Sequence, residues 1–65
     1  MGSTKGAKKL SKMHETFTFK ALEGLTGIPA GTLGRYARGV RTPVLDHAVV
    51  IEDKLRIEVR EWLTK

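Results

Sequence analysis

Apolar residues recur at helical spacing along nearly the whole chain. Leu10, Met13 and Phe17 stand three and four apart and predict a short first helix over about 7–15. Thr18 is a good N-cap for a second helix, with Phe17 before it and Leu22 inside it spaced as a hydrophobic staple. Leu22 and Leu25 are expected to face inward. Gly27 then supplies the turn, most simply with positive φ, and Pro29 opens a third helix where its missing N–H costs nothing. In that helix Pro29, Leu33, Tyr36 and Val40 form the expected core face, while Gly31, Gly34, Arg35 and Arg38 share another. Gly39 ends it. Thr42 and Pro43 restart the chain as N-cap and first position of a fourth helix, with Asp46 near its positive end and Val44, Ala48, Ile51 and Leu55 as its buried stripe. A last short helix carries Val59, Trp62 and Leu63. The run His47–Glu52 is β-prone, but its flanks keep the helical period. The expected architecture is all-α, five short helices packed orthogonally, with no internal repeat.

Sixty-five residues make at most one small domain with a marginal core. There is no cysteine, so no disulfide and no thiolate metal site. His14 and His47, each expected on an exposed helix face, have no ligand cluster around them, and no metal or other cofactor is expected. No apolar run approaches a membrane span, and the N-terminal lysines precede no signal-peptide core. Asp46 and His47 diverge by about 100° on a helix, so they are no dyad. No base neighbours a Ser or Thr, and no phosphate-cradling loop occurs, so an enzyme is not expected. A cytoplasmic protein is the default.

Charge changes the picture. The net charge is +5, but residues 1–45 carry +6 and residues 46–65 carry −1. One-sided charge of this kind suits a polyanion, although a merely soluble basic domain would show it too. The segment 27–43, GIPAGTLGRYARGVRTP, sharpens the question. Each interior glycine costs a helix roughly 1 kcal/mol relative to alanine. Bare backbone lets a helix approach base edges in a major groove, where Ala30 and the Gly31 α-carbon can touch a thymine methyl. Arg35 can then reach guanine O6 and N7, with Arg38 and Arg41 further along on phosphates. The same glycines would equally allow close packing against another helix, with the arginines a solvated face.

The run FTFKALEGLTGIPAGTLGRYARGVRTP, followed by VLDHAVVIEDKLRIEVREWL, resembles the Xre/Cro–CI family of helix-turn-helix proteins over about residues 10–63. Its most specific parts are Thr18, Leu22, Thr26-Gly27-Ile28, Thr32-Leu33, Arg35-Tyr36, Arg38-Gly39, Arg41-Thr42-Pro43 and Ile51 to Leu55. The resemblance implies a lambda-repressor-like domain over 7–65 that binds double-stranded operator DNA, usually as a dimer on two half-sites, in a bacterium or phage-infected cell. It implies base-reading positions at Pro29, Ala30, Gly31, Gly34, Arg35 and Arg38, and phosphate-binding positions at Thr18, Lys20, Thr32, Arg41 and Thr42. Two departures stand out: Pro29 replaces the family's usual Ser or Thr cap, and Glu23 replaces a small residue between the two motif helices.

Residues 1–6 show no apolar periodicity and are expected to form a flexible basic arm, with Met1-Gly2-Ser3 compatible with a cloning remnant. The stretch STKGAKKLSK is similar to the lysine-rich arms of lambda-type repressors, which implies Lys5, Lys8 and Lys9 as arm contacts to DNA. Trp62 and Leu63 either cap the domain's own core, the better use of a tryptophan, or meet a partner. The resemblance implies a homodimer through that last helix. The expected function is a repressor or Cro-like regulator acting by operator occlusion. The rival readings are an antitoxin with a toxin partner, or a helical protein-interaction module with a basic face.

Overall fold

A computed structural model describes residues 4–64, and their ordered elements are all helical. α1 spans Lys5–His14, α2 Phe19–Thr26, α3 Ala30–Ala37 and α4 Leu45–Leu55, and the chain closes with a 3₁₀ helix over Val59–Leu63. The fifth element is therefore not an α-helix: its five residues are held by a reciprocal capping box between Glu58 and Glu61, a length at which 3₁₀ geometry is common.

The chain start corrects the expected arm. Met1, Gly2 and Ser3 lie outside the described residues, but Lys5 and Gly6 already belong to α1. The Thr4 hydroxyl accepts the Ala7 N–H at 3.2 Å, the cap that begins the helix. The Lys5 N–H donates to the Thr64 carbonyl at 2.6 Å, and Lys9 forms an ion pair with Glu61. That ammonium, together with the Glu58 N–H, holds the Glu61 carboxyl below its usual range. The two ends of the domain are thus joined. Lys5, Lys8 and Lys9 are helix residues.

Leu10, Leu22, Leu33, Ile51 and Ile57 are fully buried, and Ala7, Ile28, Tyr36, Ala37, Ala48, Leu55 and Trp62 complete the core. Trp62 is 3% exposed, so it caps this core and is not available to a second copy; Leu63 beside it is 80% exposed. The expected dimer contact through Trp62 is corrected accordingly. Leu25 is exposed too, because the reversal at Gly27 brings Ile28 into the core instead. Val40 is exposed because α3 ends at Ala37, before its apolar period can continue.

α4 begins later than expected. Thr42 makes no cap, Pro43 is buried in the connection, and Val44 is the N-cap, itself exposed. Asp46 does sit in the first turn, where its charge favours the helix dipole. His47 is half-buried, its Nδ1 2.7 Å from the Tyr36 hydroxyl, which ties α4 to α3.

Candidate nucleic-acid interface

Every position expected to touch DNA, apart from the three lysines, belongs to α2, α3 or the segments beside them. The local chemistry of this region sets its shape. The Thr18 hydroxyl accepts the Ala21 N–H at 3.1 Å and starts α2. Its own O–H remains a donor. At the far end Thr26 donates to the Leu22 carbonyl at 2.8 Å and accepts the Ile28 N–H at 3.1 Å. Gly27 takes φ 78°, the left-handed conformation that glycine adopts without strain. Two residues later α3 begins.

Pro29 is the N-cap of α3 rather than its first residue, and it has no side chain with which to cap. Glu23 satisfies a different donor at this helix start, its Oε1 accepting the N–H of the first helical residue, Ala30, at 3.1 Å, whereas the Thr4 and Thr18 caps take the N–H of the third. A carboxylate on α2 thus satisfies one of the free N–H groups at the start of α3. Glu23→Ala should therefore cost about 1 kcal/mol, the ordinary loss of a helix cap. Thermal melting measures it, and a variant as stable as the parent would mean that water serves the Ala30 N–H equally well.

α3 ends in a Schellman motif. Gly39, at φ 74°, donates its N–H to the Tyr36 carbonyl at 3.1 Å, and the Val40 N–H reaches the Arg35 carbonyl at 3.0 Å. This reversal carries Arg41 and Thr42 out of the helix, both exposed.

The two glycines of α3, alike in the sequence pattern, part company. Gly31 is exposed, and a Cβ built there would meet nothing within 4 Å. Gly34 is buried; a Cβ there would lie 3.6 Å from Phe19 Cε2 and 3.7 Å from the Arg38 guanidinium. The expectation that Gly34 reads bases is corrected on this ground: the Phe19 ring lies over it. Periodicity does not single out Phe19. It stacks in turn on His14, ring centroids 3.7 Å apart and planes 3° apart, and so links α1, α2 and α3. His14 Nδ1–H donates to the Phe17 carbonyl at 3.0 Å.

Contacts of 3.6–3.8 Å are ordinary van der Waals distances, so alanine fits at both glycines. Each substitution should raise stability by up to about 1 kcal/mol through helix propensity. Only Gly31→Ala should also weaken or re-specify duplex binding. Paired melting and affinity measurements test the difference, and an affinity loss confined to Gly34→Ala would reverse the assignment.

Of the remaining expected positions, Pro29, Arg35, Arg38, Thr18 and Lys20 are exposed, and Ala30 and Thr32 are half-buried. Among the described residues none of Lys20, Arg35, Arg38 and Arg41 pairs with a carboxylate. Glu23, the one acidic residue between Phe19 and Ala37, is engaged with Ala30. The exposed cations of this region, Lys20, Arg35, Arg38 and Arg41, thus outnumber its single carboxylate. Also among the described residues, no group of three His, Asp or Glu could hold a metal ion, and no helix is long and apolar enough to cross a membrane.

Comparisons with known proteins add no relative: no family model, no curated protein and no solved structure matches the chain.

Proposed function

We propose that the chain reads double-stranded DNA in a sequence-dependent way and regulates transcription by occupying its operator. In this reading α2 and α3 act as a helix-turn-helix unit, and the outward side of α3 enters the major groove. One observation carries it: Gly31 and Arg35 stand together on an exposed helix face, with open space over the glycine and no ion pair on the arginine among the described residues. A bare α-carbon allows close approach to base edges, and the guanidinium beside it matches the paired acceptors of guanine. Thr18 and Lys20 at the start of α2, with Arg41 and Thr42 after α3, supply donors to phosphate on either side. Arg38, whose guanidinium reaches back beside Gly34, is exposed at the end of α3. Bound in this way at a bacterial or phage operator, the domain excludes polymerase or a competing regulator.

Phosphate contacts and base contacts leave different signatures. Neutralising phosphates releases counterions, so log K should fall linearly with log salt, by about 0.9 per phosphate contacted. Lys20→Ala and Arg41→Ala should weaken binding to all duplexes alike, each flattening the slope by about one unit. Fluorescence titrations of a duplex at several salt concentrations, with random-sequence competitor, provide the test. An affinity independent of salt would overturn the proposal.

A further inference from the structure

α1 carries charge that the DNA reading does not use. Lys5, Lys8, Lys9 and Lys12 stand at i, i+3, i+4 and i+7, one side of the helix, and the segment Lys5–His14 contains no acidic residue. Gly6, Ala7 and Leu10 are buried on the opposite side. α1 packs against both α3 and the 3₁₀ helix, so its lysine stripe lies on the side opposite these buried residues. Towards its C-terminal end the stripe meets an open cavity of about 370 Å³ between α1, the turn after it and the link that follows α4. Met13, Phe17, Leu55 and Ile57 supply its apolar lining, and Lys12 and Arg56 stand at it as cations. Phe17 is 47% exposed, a large apolar surface left uncovered beside the cavity. Lys9 is held by Glu61, but Lys8, Lys12 and Arg56 pair with no carboxylate among the described residues. Arg56 moreover holds φ 63° where glycine would be unstrained.

We propose that this cavity and the lysine stripe leading into it form a docking surface for an acidic amphipathic segment of another protein. Its carboxylates would face Lys8, Lys12 and Arg56, and one large apolar side chain would enter the cavity against Phe17 and Met13. The charge complement calls for an anionic occupant, and the apolar lining selects among anions. A phosphate backbone has no side chain to fill that lining. A membrane surface would need the apolar side of α1, which lies in the core. The proposal stands whether or not α3 reads DNA, because it uses a different surface.

The test is a titration of the isotopically labelled chain with two equally acidic synthetic helical peptides, followed by amide resonances. One peptide carries Leu and Phe at i and i+4; the other carries Ser at both. The first should shift Met13, Phe17 and Ile57 saturably, and the second should bind at least about tenfold more weakly, the loss expected when buried apolar anchors are removed. Lys12→Gln should weaken the first peptide severalfold, with melting and duplex affinity unchanged. Phe17→Ser is the second variant, with its melting checked in the same way, and should lose the preference between the peptides. Absence of saturable shifts, or equal affinity for the two peptides, would overturn the proposal. So would tighter binding of phosphatidylglycerol vesicles or of a duplex at the same residues, or loss of duplex affinity in the lysine variant.

Discussion

Gly6→Ala should lower the melting temperature, although it puts a better helix former into α1. The reason is Trp62. A Cβ at Gly6 would fall 2.5 Å from Trp62 Cδ2 and 2.8 Å from both Cε2 and Cε3, distances that no side-chain carbon tolerates. The indole cannot swing aside cheaply. It is 3% exposed and meets Tyr36 edge-on, with centroids 6.2 Å apart. Its N–H makes no hydrogen bond among the described residues, so apolar packing is what holds it. Forcing a methyl into such a contact costs about 1–3 kcal/mol, more than the propensity gain of at most about 1 kcal/mol. At roughly 0.05–0.15 kcal/mol of stability per residue, a chain this short loses a sizeable share of its total. A drop of several degrees should appear in a circular-dichroism melt, since about 1 kcal/mol moves a small domain by some 4–8 °C. A melting temperature at or above the parent's would show that Trp62 has room to move. By the same contact, deleting residues 1–8 should unfold the domain rather than trim a tail, because Gly6 and Ala7 leave the core with it.

Arg35→Ala should leave folding untouched and discriminate between duplexes. Its side chain is exposed and makes no ion pair among the described residues, and the carbonyl that accepts the Val40 N–H is backbone and survives the substitution. If the guanidinium bridges guanine O6 and N7, its loss should cost about 1–3 kcal/mol at the preferred site, a five- to more than hundredfold drop, and much less on random DNA. Selection of a preferred duplex from a random pool comes first; affinities of parent and variant for that duplex and for a scrambled one follow. An equal loss on both would move Arg35 among the phosphate contacts. No loss on either would remove α3 from the interface.

Much of the helical layout could be read from neighbours in the chain. Thr18 caps α2, Gly27 and Gly39 take positive φ, and Asp46 enters the first turn of α4, each as expected. These features depend on φ preferences and on hydrogen bonds spanning a few residues, which a linear reading contains. The apolar period likewise located Leu10, Leu22, Leu33, Tyr36, Ile51 and Leu55 in the core. It misjudged Leu25, Pro29, Val40 and Val44, all exposed and near an element's end, because periodicity cannot tell where a helix starts or stops or which of two nearby residues reaches the interior.

What composition, spacing and caps determined by themselves is an all-helical small domain with its positive charge concentrated in the first 45 residues. What only the tertiary structure decided is how that charge and those glycines are divided. Gly31 and Gly34 carry the same signal in the chain, yet Phe19 from α2 covers one and leaves the other open. Glu23 caps a helix seven residues away because the turn at Gly27 folds α2 back toward Ala30. Trp62 gives Gly6 its purpose from the other end of the chain, and so converts an expected arm into the first turn of a packed helix. In each case the deciding contact joins separate elements, some distant in the chain and others brought together by a turn. Steric exclusion and burial at such contacts have no counterpart in local propensity.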